Sequence, residues 1–141
     1  MDNRINQKLE EKQFLALFRK SYEDFPKGKI YASESPDFIV KLGKKKSIGI
    51  EITRFILSSK VVHQQFIDNL NEIIDKKNEK FLLYQKKVCN NYWLIIFVED
   101  LRKFVNFSIQ NIIEKLDFNS NFDKIFLFDM QSSKTYFLKD E

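Results

Sequence analysis

Two acidic residues are set apart by their surroundings. In "SESPDFIVKLGKKKSIGIEITRF", residues 33–55, Asp37 and Glu51 sit inside two strongly apolar segments that alternate with period two. A short loop centred on Gly43, Lys44 and Lys45 joins the segments, which predicts a β-hairpin. The apolar faces set its register. Phe38 and Val40 share a side with Ile50 and Ile48 only if Phe38 pairs with Ile50 and Val40 with Ile48. A slip of one residue turns one apolar set to the wrong face. In that register Asp37 falls opposite Glu51, on the side away from Phe38 and Ile50, and Thr53 shares that side one position further along.

Like charges directly opposed on a strand pair cost roughly 0.2–1 kcal/mol, and more where the ions also lose water. Three arrangements offset this. A proton can be shared between the acids, a Lys or Arg can sit nearby, or a hard divalent cation can bridge them. Two carboxylates from facing strands suit Mg²⁺ well. Lys41 lies on the acidic face but four residues from Asp37, about 13 Å at strand rise, too far to neutralise the pair. Gly49, beside Glu51 and opposite Ile39, leaves room for a ligand or a backbone approach. Taken singly, each acid is an ordinary solvated strand-end residue, and Pro-Asp is a common turn dipeptide. The shared face is what joins them.

The elements that must hold this pair can be read from periodicity. Residues 4–25 carry Phe14, Leu17, Phe18, Tyr22 and Phe25 at helical spacing, and Pro26 and Gly28 stop the helix. Residues 30–35 are extended or loop, with room for one more short strand before Ser33. After the hairpin, Ser58 or Ser59 can cap a helix running to about Lys86. Val62, Phe66, Leu70, Ile73, Phe81 and Tyr84 form its inner stripe, and Lys77 interrupts it, which predicts a bend or a departure from the core. "NYWLIIFV" is apolar on both faces and reads as a central strand. A helix follows over 103–116, with Val105, Ile109, Ile112 and Leu116 in phase. "DKIFLFD" and "KTYFLK" are strands around a "QSS" turn. The predicted order is α-β-β-α-β-α-β-β, an α/β domain over 1–141 with a mixed central sheet flanked by helices.

Composition narrows the chemistry. The 141 residues are 43% hydrophobic and 31% charged, which favours one folded core over disorder. The 15 Phe residues read as core filling rather than a recognition code. The net charge of +4 is compatible with an anionic partner. One His and one Cys argue against a His/Cys zinc site, so a metal here would use oxygen ligands. The single cysteine, Cys89, and a charged N-terminus without an apolar stretch predict a reduced, cytoplasmic setting. The run Trp93 to Val98 is too short to span a membrane.

The motif "E-S-P-D-F", a hairpin, and then "I-G-I-E-I-T" resembles the core of the PD-(D/E)xK nuclease superfamily, the restriction-endonuclease-like fold. The motif covers residues 34–53, and the order of elements around it is similar as well. The resemblance implies a metal-dependent nuclease that hydrolyses phosphodiester bonds, with DNA the favoured nucleic acid. It implies that Asp37 and Glu51 bind Mg²⁺ or Mn²⁺, with the backbone carbonyl of Ile52 completing the site. A homodimer would fit cutting of both strands. Thr53 stands where the family carries a lysine, and it cannot supply a positive charge. A relocated lysine is therefore expected. Lys60, in the first turn of the expected second helix, is the foremost candidate, with His63 and Gln64 weaker ones on the same turn. Glu34, three residues before Asp37, is a second acid of the motif. Glu11, or Glu10, would be the first-helix glutamate that the superfamily often adds. The alternative that Thr53 motivates is a non-catalytic module on the same fold that binds nucleic acid or protein.

Overall fold

A computed structural model describes residues 3–84 and 89–140. The first helix, α1 (Asn3–Ser21), is followed by β1 (Lys29–Ala32), β2 (Phe38–Lys41) and β3 (Ser47–Phe55). Then come α2 (His63–Tyr84), β4 (Asn91–Val98), a 3₁₀ turn (Leu101–Lys103), α3 (Ile109–Glu114), β5 (Lys124–Asp129) and β6 (Lys134–Asp140). The six strands form one sheet in chain order, β1-β2-β3-β4-β5-β6. β1 to β3 are antiparallel, β3 to β5 parallel, and β6 returns antiparallel.

The crossovers β3–α2–β4 and β4–α3–β5 step in the same direction across the sheet. With one handedness for both, their helices belong on one face. That face carries Phe66, Leu70 and Ile74 of α2 and Ile109 and Ile113 of α3, packed on Leu94, Ile96, Ile125 and Leu127. The other face is covered by α1, where Leu15 and Phe18 join Phe38, Ile50, Ile95, Phe126 and Phe128. Each residue of β4 from Tyr92 to Val98 is buried, as expected of a strand covered on both sides. The Phe residues fill this core: Phe18 meets the rings of Tyr22, Phe25, Phe126 and Phe128.

The hairpin register is as the faces dictate, with Phe38 opposite Ile50 and Val40 opposite Ile48. Other expectations are corrected. The order gains a strand, β1, so it runs α-β-β-β-α-β-α-β-β. β1 is an edge strand, mostly exposed, and its weak alternation hides it in the sequence. Gly28 leads into it because a Cβ there would lie 2.4 Å from the Lys41 carbonyl oxygen. Leu17, placed in the α1 stripe, is exposed.

The second helix begins at His63 rather than after Ser58 or Ser59. Val61 is buried and its N–H bonds the Phe104 carbonyl (3.0 Å), which holds the preceding segment as a loop. Val62 is exposed, and Ile74 takes a buried place on α2 that the predicted stripe missed. The expected helix end near Lys86 and the side chain of Tyr84 lie outside the described residues. The helix expected over 103–116 is two pieces. Asp100 caps the 3₁₀ turn and Ser108 caps the short α3. Asp129, a buried acid at the end of β5, accepts from the N–H groups of Leu101 and Gln131, so it ties this connection to the sheet. No helix among the described residues is long and apolar enough to cross a membrane.

Candidate active site

Asp37 and Glu51 are both buried, at 9% and 5% exposure. The ladder between β2 and β3 stops at Phe38–Ile50, one pair before them. Asp37 sits on the bend that precedes β2. Its carboxylate takes the place of a ladder partner: Oδ2 accepts from the Ile52 N–H at 2.8 Å. In a strand, the N–H and C=O of one residue point to the same side. The Ile52 carbonyl therefore faces the Asp37 side of β3 too. Asp37 is further anchored through its backbone, since its carbonyl accepts from the Ser33 N–H at 2.8 Å.

The local fold fixes this approach. Ser35–Pro36 is a cis peptide, and the Pro36 ring lies over Gly49. A Cβ on Gly49 would meet Pro36 Cγ at 2.8 Å and the Tyr92 ring at 2.8 Å. The space predicted beside Glu51 is thus filled by protein. Gly49 serves a close approach of Pro36, which carries Asp37 to the strand, rather than a ligand.

The charge on each acid is met from a different helix. Lys77 of α2 places Nζ 3.3 Å from Glu51 Oε1, with both side chains largely buried. The lysine that interrupts the helical stripe does not bend the helix out of the core. It points inward, at the acid. On the other side, Lys8 of α1 lies 3.7 Å from Asp37 Oδ1 and 3.4 Å from Glu11 Oε1. Lys8 also donates to the carbonyls of Ser33 (2.8 Å) and Asp37 (3.2 Å). Glu11 hydrogen-bonds Asp37, and its pKa is pushed up to about 7. Burial is the largest cause, the charge and hydrogen bond of Asp37 add to it, and Lys8 opposes it. The raised pKa of Glu11 makes it the acid of this cluster that burial and its neighbour push toward the protonated form.

The other predicted residues divide. Glu34 lines an open pocket of about 510 Å³ with Arg4, Lys8, Glu11 and Asp37, so it shares the mouth of the site. Thr53 is on β3, half-buried, opposite Ile96. Lys60 is exposed in the loop before α2, past the end of β3, because the helix that was to aim it starts later. His63 packs its ring against Phe107, and Gln64 bonds Asp68 on its own helix at 2.9 Å. Glu10 pairs with Arg54 at 3.2 Å and is not at the site. Lys8 and Lys77 were missed as partners. For Lys77 the signal was present: a lysine at a core-facing helix position needs a buried anion, and the facing strand offers Glu51.

Among the described residues no three His, Cys, Asp or Glu side chains form a metal-holding group. A cation here would use the Asp37 and Glu51 carboxylates and the Ile52 carbonyl, an all-oxygen set that fits a hard ion such as Mg²⁺. Comparison with protein families, with curated proteins and with solved structures gives no match to this chain.

Proposed function

We propose that the chain is a metal-dependent nuclease with a restriction-endonuclease-like core, in which Lys77 supplies the positive charge that Thr53 cannot. The observation that carries this reading is the buried contact of 3.3 Å between Lys77 Nζ and Glu51 Oε1. The "PDF…GIEIT" motif and the convergence of Asp37 on Ile52 support it. Asp37, Glu51 and the Ile52 carbonyl would hold Mg²⁺ or Mn²⁺, which when bound polarises a phosphate oxygen and acidifies a bound water. Lys77 balances the charge of Glu51 and presents an ammonium beside the acid, where it can orient the attacking water. Lys8 keeps its bonds to the Ser33 and Asp37 carbonyls and stands at the mouth beside Asp37, where its positive charge would favour a phosphate. A cation held at Asp37 would lower the raised pKa of Glu11 and favour release of its proton to solvent. DNA is the proposed substrate.

The test is cleavage of nucleic acid with Mg²⁺ or Mn²⁺ by purified variants. Asp37→Asn, Glu51→Gln and Lys77→Met should each lose activity. Thr53→Lys placed in the Lys77→Met background should restore part of it, because it returns the lysine to the position that the motif normally uses. Cleavage that persists in both acid variants would sink the site assignment.

A second reading, a non-catalytic binding module, draws on the same ion pairs. Each acid already has a lysine, so the charge is met without a metal. Calorimetry separates the two: no heat of binding at millimolar Mg²⁺ or Mn²⁺ favours the module.

A further inference from the structure

A groove of about 650 Å³ runs between α1 and the edge strand β1. Lys12, Arg19 and Lys20 line it, over a floor that includes Ala16, Ile30 and Ala32. The next groove along α1 is the mouth of the candidate site, where Arg4 and Lys8 meet Glu11, Glu34 and Asp37. Lys8 lines that mouth and Lys12, about one helical turn further on, lines the groove, so the two follow one another along α1. At 100° per residue, Arg4, Lys8, Lys12 and Arg19 fall within about 80° of one another around the helix. One face of α1 is therefore a cationic track, and the acids are confined to the end at which Asp37 lies. Arg19 also lies over the Phe25 ring, 5.9 Å from its centroid, which restrains it along the track.

We infer that this track holds one strand of nucleic acid and leads its backbone to Asp37. The inference rests on the nuclease reading for what happens at the acidic end, and on charge complementarity for the rest. A file of cations on one helix matches one file of phosphates. The apolar floor suits bases that are not paired, and a paired duplex would turn them inward, away from it. The groove is bounded on one side by α1 and on the other by a sheet edge, a lining that suits one strand laid along it. A single-stranded substrate also needs one active site for each cut, which removes the reason to expect a homodimer.

The experiment measures binding of labelled single-stranded and duplex oligonucleotides by fluorescence anisotropy, in the Asp37→Asn protein without divalent metal, across a salt series. The triple variant Lys12→Gln/Arg19→Gln/Lys20→Gln is compared with Lys44→Gln/Lys45→Gln/Lys46→Gln, an equal charge change on the exposed hairpin loop. The groove variant should bind the single strand at least tenfold more weakly, and its salt slope should fall by roughly 2, about 0.7 for each phosphate no longer neutralised. The hairpin variant should change little. Equal weakening in both variants, or duplex bound as well as single strand, would overturn the inference. So would no binding to nucleic acid, with or without binding to anionic lipid vesicles. Groove-dependent binding with no cleavage by the parent protein would instead leave the track standing and remove the nuclease reading.

Discussion

The two acids of the candidate site are held in opposite ways. Glu51 is in the middle of β3, with β2 ending on one side and β4 running along the other, and α2 above it. Its lysine reaches it through the core. Asp37 is on a bend at the sheet margin, fixed by one backbone N–H, and it meets α1 at the mouth of an open groove. Lys8 divides itself among four oxygens there. The difference assigns a role to each half. The Glu51 half is set by packing, and its charge balance is part of the fold. The Asp37 half opens on a pocket through the partly exposed Lys8, and under the nuclease reading it is the half that would take up a cation or a phosphate.

The largest effect should come from the packed half. Breaking a buried ion pair by removing one partner costs far more than breaking an exposed one. Lys77→Met should lower stability by ~3 kcal/mol in urea unfolding. Pairing it with Glu51→Gln should recover much of that loss, because the charge is removed with its partner. Lys8→Met should cost only ~1 kcal/mol or less, since Lys8 is a quarter exposed and Asp37 keeps the Ile52 N–H. Equal losses for Lys77→Met and Lys8→Met would end the distinction between the halves.

Gly49→Ala comes next, and it tests how the halves are joined. The new methyl would collide with Pro36 and Tyr92 at 2.8 Å. Proline cannot give way without moving the bend that carries Asp37. A loss of ~1–3 kcal/mol is expected, the usual range for overpacking, together with loss of any activity that needs Asp37. Unchanged activity in a protein that still folds would show that Asp37 does not depend on this approach.

The sequence told these halves apart unevenly. The hairpin register was legible because both strands alternate strictly and only one pairing puts their apolar residues on one face. The close approach at Gly49 was legible as well, although what approaches is Pro36 and not a ligand. Lys77 was visible as an anomaly in a helical stripe. Its direction was not, because periodicity says which face a residue occupies and not whether that face holds a charge to meet it. The Lys8–Glu11–Asp37 contacts bring together residues up to 29 positions apart, through an α1 that periodicity predicts and a docking angle that it does not. Lys60 lies in a loop rather than on the first turn of α2 for a reason that local sequence does not carry: the Val61 N–H is held by the distant Phe104 carbonyl, and the helix starts at His63. The edge strand β1 was legible only as an extended segment with room for a strand before Ser33, because an exposed strand need not alternate.

The smallest prediction concerns pH and belongs to the open half alone. Glu11 has its folded pKa raised to about 7 from an ordinary value of 4.5, first by burial and then by Asp37. A raised pKa means that the fold favours the protonated acid. The stabilisation is complete below pH 4.5 and is lost as pH rises through about 7, because the proton must then leave a group beside another carboxylate. Glu11→Gln removes that titration and keeps a side chain that can still hydrogen-bond. Glu11 lines an open pocket, so water at its mouth screens the effect. The variant should melt higher than the parent at pH 8, by about 2–4 °C, and match it near pH 4.5. With Mg²⁺ bound beside Asp37 the added positive charge should pull the Glu11 pKa down, so the gap between variant and parent at pH 8 should narrow in saturating metal. A gap that does not respond to metal would place the cation away from Asp37 and leave the open half as a proton-holding contact only.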